Sequence, residues 1–236
     1  MNDRLKKEVA SYYDERTREY DEIYQGKGPA IPDPIAYKKD VKRIGEIVSS
    51  FGRGHLIDIG CGTGFWLPYY ARNCSQITLI DQSEKMLSEC KRRVDELGVK
   101  SKCHFVQGDF FEIGFENCLF ESALVGFLIS HLTLEQEQLF FGKLKKILKP
   151  NGQLILIDSA WSSKRQEYRK KESIQERVLN NGRIFTIYKR YFGKSDIEGI
   201  FEKHGFKLQS YYKGDLMLAV IGEAESREIS CGRRVP

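Results

Sequence analysis

The 236-residue chain has no apolar run approaching the roughly twenty residues a bilayer-spanning helix needs, so no membrane contact is expected. Its six cysteines, at 61, 74, 90, 103, 118 and 231, include no Cys-x-x-Cys pair, and no secretory leader precedes them. Free thiols in a reducing, cytoplasmic compartment are expected. The four histidines, at 55, 104, 131 and 204, share no ligand spacing with those cysteines, which argues against a bound metal. Internal repeats are absent. The formal charge of +5 is spread over interleaved acids and bases, with no basic tail or stripe to favour a nucleic-acid partner. What is present, 41% hydrophobic and 30% charged residues, suits one globular domain with a full core.

The most informative stretch runs from Leu56 to Gly64, Leu-Ile-Asp-Ile-Gly-Cys-Gly-Thr-Gly. It reads as a short apolar strand ending at an acid and breaking into three alternating glycines before a helix. Gly60, Gly62 and Gly64 let the chain turn tightly and let a ligand lie against bare backbone. Asp58 puts a carboxylate just before the turn, where a pyrophosphate-binding loop would offer only N–H groups, so a cationic ligand is expected. Downstream, Ile77 to Asp81 is a β-rich run closing on an acid at the distance a ribose-binding carboxylate requires. A third strand, Cys103 to Gln107, closes on Gly108-Asp109. Three acids thus end three successive strands, a recurrence that marks a shared site.

This set resembles the class I S-adenosylmethionine-dependent methyltransferases, whose first motif is an acid followed by Gly-x-Gly-x-Gly. A dinucleotide-binding site is the nearest rival. The resemblance covers about residues 8 to 222 and implies S-adenosyl-L-methionine as cofactor, with Asp81 on the ribose hydroxyls and Asp109 on the adenine amino group. It further implies cofactor contacts from Tyr20, Cys61, Trp66, Gln82, Met86 and Phe110, and through the end of the fourth strand at Gly126 and Phe127. Ser11-Tyr12-Tyr13 with Glu19-Tyr20-Asp21, Thr63-Gly64-Phe65-Trp66, and Gly182-Arg183 before Phe185 and Lys189 are similar to small-molecule O-methyltransferases, phosphonate-type enzymes in particular.

Along the chain, tyrosines 12, 13, 20 and 24 punctuate an amphipathic helix broken by Gly26 to Pro34, and Asp33 to Ser50 reads as a second helix. Strand and helix then alternate. Helices are expected over Ser83 to Leu97 and from a Thr133 capping box, with strands over Leu119 to Val125 and Gln153 to Asp158. Two final strands, Phe206 to Tyr212 and Leu216 to Ile221, follow a helix ending near Gly205. The expected fold is α/β and Rossmann-like: a seven-stranded, mostly parallel sheet with an antiparallel last strand and helices on both faces. One domain spans 1–222, with an N-terminal helical lid at 1–52, a substrate lid at 159–193 and a disordered tail at 223–236.

The lid is read as a polar helix, Ser163 to about Leu179, then a turn at Asn180-Asn181-Gly182 and an alternating strand. On that strand Arg183 and Lys189 share a face with Phe185 and Ile187, and they become the candidate cations for an anionic acceptor, with Arg165 and Arg190 behind them. Arg169, Lys170, Lys171 and Arg177 interleave with glutamates on the helix and are assigned to solvent. Tyr13 and Tyr24 are expected to close over the acceptor. His131 is the candidate catalytic base, needed only if the acceptor must lose a proton. The function expected is methyl transfer to a small molecule, at an oxygen of a carboxylate or phosphonate. An RNA methyltransferase and a non-catalytic S-adenosylmethionine-binding module are the rival readings, and oligomeric state is unreadable from the sequence.

Overall fold

The computed structural model describes residues 11–27 and 33–225. Strands β1 (His55–Ile59), β2 (Gln76–Asp81), β3 (Cys103–Gln107), β4 (Phe120–Gly126) and β5 (Leu148–Ser159) run parallel. A separate hairpin, β6 (Glu172–Val178) with β7 (Ile184–Arg190), follows. Then β8 (Phe206–Lys213) and β9 (Met217–Ala224) complete a seven-stranded sheet in the order β3-β2-β1-β4-β5-β9-β8. Only β9, wedged between β5 and β8, runs antiparallel to its neighbours. The expected mixed sheet is therefore present, and its order reverses between β1 and β4, the switch point where such sheets open a crevice.

Both faces are covered because side chains alternate along each buried strand. Ile155 and Ile157 of β5 point into one apolar layer, Leu154 and Leu156 into the other, and β9 sends Met217 and Ala219 one way, Leu218 and Val220 the other. Helices α1 (Pro34–Ser49) and α2 (Glu84–Glu96) cover the first face, α3 (Leu134–Ile147) and α4 (Lys194–His204) the second. Each starts where its backbone donors are met. Asp33 accepts from the Ala36 N–H at 2.9 Å, Ser83 Oγ from Met86 at 3.1 Å, and Thr133 and Gln136 cap each other at 3.3 and 3.0 Å. Helix α4 is capped by Gly193, whose N–H donates to Asp196 at 2.7 Å, and it closes on Gly205 in the left-handed region, φ 68°.

Several boundaries differ from expectation. The polar helix over 163–179 exists only as one turn, Ser163–Gln166; from Glu172 the chain is a strand. Its Lys, Glu, Gln and Arg content favours helix intrinsically, but in-register pairing with β7 and burial of Gln175 and Leu179 override that propensity. Helix α1 is no lid. Its Val41, Ile44 and Val48 belong to the sheet's apolar layer, and buried Asp40 accepts from the Leu216 and Met217 N–H groups at 2.7 and 2.9 Å. The N-terminal cover is thus the short segment 11–23. Glu223 and Ala224, placed in the tail, belong to β9, and the remaining tail expectation falls on 226–236, outside the described residues. Cysteines 61, 74, 90 and 103 are free as expected, whereas Cys118 is disulfide-bonded and Cys231 lies outside the described residues. No helix among the described residues is long and apolar enough to cross a membrane, and none of their His, Cys, Asp and Glu side chains cluster to hold a metal.

Candidate active site

The glycine loop after β1 is positioned from below and behind. The N–H groups of Gly60 and Cys61 both donate to the Ile80 carbonyl at 2.9 Å, folding the loop back over β2. Gly64 has φ 72°, and a Cβ there would sit 2.8 Å from Cys90 Sγ, so only glycine lets α2 pack this close. Asp81, at the end of β2, accepts from the Gly62 N–H at 2.8 Å and the Ser83 N–H at 2.9 Å, tying loop and helix start to one carboxylate.

Above this loop lies a cavity of about 380 Å³, between the ends of β1 to β4 and the N-terminal segment. It brings together most of the expected cofactor residues: Tyr20, Gly60, Gly62, Asp81, Gln82, Met86, Gly108, Asp109, Phe110, Gly126 and Phe127. Asp14 and Glu112 add to the acids Asp81 and Asp109, while among the described residues no lysine or arginine lines this space. Burial raises the Asp81 pKa, against the pull of its N–H donors.

Four expected cofactor residues stand behind the wall. Asp58 is buried, accepts from the Tyr70 hydroxyl at 2.6 Å, and has its pKa pushed by burial to about 7. The acid before the glycines therefore anchors the strand end and does not face the cavity. Cys61 and Gly64 pack inward, and Trp66 is a core residue set edge-on against Phe65 and Tyr24. One residue per turn of an inferred loop cannot be assigned inward or outward from spacing alone.

A second chamber, of about 80 Å³, adjoins the first; Tyr13, Tyr20, Phe127 and His131 line both. Its chemistry is the reverse. Arg16, Arg165, Arg177 and Lys189 line it, and among the described residues no carboxylate does. Lys189 donates to Ser130 Oγ at 2.5 Å and lies 3.5 Å from the buried carboxylate of Asp158. Among the described residues, the three arginines form no ion pair with a carboxylate. Arg165, only 5% exposed, donates to the Leu216 carbonyl at 2.8 Å and to Tyr168 at 3.1 Å, and its Nε has no partner. The field is felt by Tyr191: burial raises its pKa, but the Lys189, Arg165 and Arg177 charges outweigh that, and the net shift is downward.

Of the expected acceptor residues, Tyr13, Tyr24, His131 and Lys189 line this chamber. Arg183 does not. Phe185, Ile187 and Lys189 are buried on one face of β7 as expected, but Arg183 precedes the strand and pairs with Glu15 at 2.9 Å, about half exposed. Arg190 leaves the site as well, donating to Glu137 at 2.7 Å and to the Ile129 carbonyl at 3.1 Å. Sequence reasoning missed Arg16, which lies 5.4 and 5.2 Å over the rings of Tyr12 and Tyr20. The spacing of four residues from each tyrosine was its signal. It also missed Arg177, which a strand reading of 172–178 would have placed on the face of Gln175 and Leu179.

His131 sits where the two spaces meet. Its Nδ1 is 2.8 Å from the Tyr188 carbonyl, which can only accept, so Nδ1 carries the proton and Nε2 accepts from the Tyr13 hydroxyl at 3.0 Å. Burial first, then the nearby Lys189, holds its pKa well below the ordinary value. The imidazole is neutral.

A family model described as a methyltransferase domain matches residues 56–152. The phosphatidylethanolamine N-methyltransferase of Cereibacter sphaeroides is 25% identical over 105 residues, 44% of this chain and 50% of that protein. The carboxy-S-adenosyl-L-methionine synthase of Colwellia psychrerythraea is 26% identical over 180 residues, 71% of this chain and 68% of that protein. The chain thus spans about half the length of the first relative and two thirds of the second. The structure of DhpI in complex with SAH superimposes with a TM-score of 0.76 at 18% identity, covering 96% of this chain and 100% of that one. Residues 56–152 are thus similar to a methyltransferase domain. The fold that carries them is that of the class I S-adenosylmethionine-dependent methyltransferases.

Proposed function

We propose that the protein binds S-adenosylmethionine in the acidic cavity and directs its methyl group to an oxygen of a small anionic acceptor, a carboxylate or phosphonate, in the basic chamber. The observation that carries this reading is the segregation of charge among the described residues: acids without cations in one space, cations without acids in the next, the two meeting at Tyr13 and His131. The acidic cavity fits a cofactor bearing a sulfonium and an ammonium and repels a pyrophosphate. Asp81, Asp109 and Gly62 all line this cavity, which supports a reading in which Asp81 accepts from ribose hydroxyls, Asp109 from an adenine amino group, and the φ 54° turn at Gly62 offers backbone to the ligand.

When bound, S-adenosylmethionine supplies a methyl on a sulfonium, which leaves as a neutral thioether while the acceptor oxygen gains the methyl and loses its charge. Arg165 and Lys189 hold and orient the acceptor anion, and Tyr13, Tyr20, Tyr24 and Phe127 exclude water from the point of transfer. Because the acceptor gives up one negative charge during the reaction, the cations act on capture and alignment more than on the barrier, so their loss raises KM more than it lowers kcat. An ionised acceptor needs no base. His131, neutral and engaged at both nitrogens, then acts by fixing the Tyr13 hydroxyl.

Two measurements test this. Calorimetry should show binding of S-adenosylhomocysteine and none of NADH; the reverse sinks the cofactor assignment. A screen with labelled cofactor should find activity first among small carboxylates and phosphonates, and activity confined to neutral phenols or amines would reject the anionic acceptor.

A further inference from the structure

The basic chamber does not end at the N-terminal segment 11–23. A further compartment of about 90 Å³ lies beyond it, and Arg16, Arg165 and Arg177 line both. The outer compartment adds Lys27 and Arg169 and reaches exposed residues at Lys27 and Asn180. Its acids are Glu19 and Glu22. Both are already engaged by Asn180, the first by the main-chain N–H at 2.8 Å and the second by Nδ2 at 2.9 Å.

Six cations therefore stand around two adjoining spaces, and among the described residues the acids beside them are two carboxylates at the rim and Asp158 behind Lys189. Three carboxylates offset only part of these six positive charges, and the excess repels itself, so the arrangement is costly unless a ligand completes it. One singly charged acid in the inner chamber leaves the outer cations unmatched. The unpartnered Nε–H of Arg165, a nearly fully buried donor on the wall between the compartments, also calls for a ligand oxygen.

We infer that the acceptor carries two anionic groups: the one that receives the methyl, held by Lys189 and Arg165, and a distal one held in the outer compartment by Arg177 and Arg169. This rests on the methyltransferase reading above and narrows it to short diacids or phosphonocarboxylates. The two compartments are each only large enough for an acid head and a few carbons. Methylation would remove one negative charge from the inner head alone and leave the distal charge in place.

The test is a labelled-methyl assay on matched pairs, a straight-chain monoacid and the diacid of equal length, for carboxylates and for phosphonates. The diacid should be preferred by at least tenfold in kcat/KM. Arg177→Gln and Arg169→Gln should each cut that preference about tenfold while S-adenosylhomocysteine affinity stays at the wild-type value, and Arg183→Ala, outside both compartments, should leave it intact. Equal use of monoacids and diacids by the wild type, or loss of both in equal proportion in the two variants, overturns the second subsite but leaves the anionic-acceptor reading standing. An acceptor found only among neutral compounds overturns both.

Discussion

Asp81 shows how one side chain can hold up a site and still serve a ligand. Its two oxygens take the Gly62 and Ser83 N–H groups, yet it faces the acidic cavity. Asp81→Ala removes the charged acceptor and frees the loop, and should weaken S-adenosylhomocysteine binding by about 1 to 3 kcal/mol by calorimetry. An unchanged affinity in a folded variant would displace the ribose from β2. Arg165 and Arg183 make the complementary comparison. The sequence makes both candidates, but one is buried in the chamber and the other is paired with Glu15 at the surface. Arg165→Ala should raise the acceptor KM by roughly 10- to 100-fold, the worth of one charge-assisted contact, with kcat less affected. Arg183→Ala should move neither constant by more than about twofold, as for an exposed ion pair. Equal effects in the two variants would show that the chamber is misassigned.

At the scale of elements, the segment 11–23 is a strap laid across the sheet's carboxyl edge. Asp21 ties it down on one side, accepting from Thr63 at 2.6 Å and from Arg93 at 2.5 Å; Glu19, Glu22 and Glu15 tie it to the hairpin on the other. The hairpin is rooted in turn by the buried Arg190–Glu137 pair. Tyr13 and Tyr20 line the cofactor cavity and, with Tyr12 and Arg16, the acceptor chamber, so one ordered segment walls both spaces. Asp21→Ala should therefore weaken S-adenosylhomocysteine binding and raise the acceptor KM together, each by roughly three- to tenfold, and speed proteolysis of the strap. A change in only one of the two constants would mean that the strap serves a single space. The hairpin also marks where local reading misled: a sequence of Glu, Lys, Gln and Arg favours helix, and only the partner strand makes it β.

For the molecule as a whole, the buried carboxyl of Asp58 couples stability to pH. Its pKa is raised from 3.8 to about 7 by burial, so between those values the folded state binds a proton that the unfolded state has lost. Stability from this group is complete below the unfolded pKa and declines as pH rises through about 7. Asp58→Asn, which keeps an acceptor for Tyr70, should flatten the decline in Tm over that window relative to wild type. A parallel pair of Tm–pH curves would show that Asp58 ionises freely in the folded protein.

The cofactor cavity was legible in the sequence because its residues end consecutive strands: parallel β-strands bring their carboxyl ends to one edge, so Asp81, Gly108-Asp109 and Gly126 converge by topology alone. The alternation of strands and helices determined the sheet for the same reason. The basic chamber was legible only in part: Lys189 and Arg165 were candidates, Arg16 and Arg177 were not. Arg16, Arg165, Arg177 and Lys189 come from a strap, a helical turn and two strands of a hairpin, and no spacing relates them. Whether a cation meets ligand, carboxylate or water depends on what folds against it, as Arg183 on Glu15, Arg190 on Glu137 and Arg165 in the chamber show. Local sequence sets backbone geometry and strand order. Charge pairing between distant segments is decided only when tertiary packing brings them within a few ångströms, where burial makes each unpaired charge count.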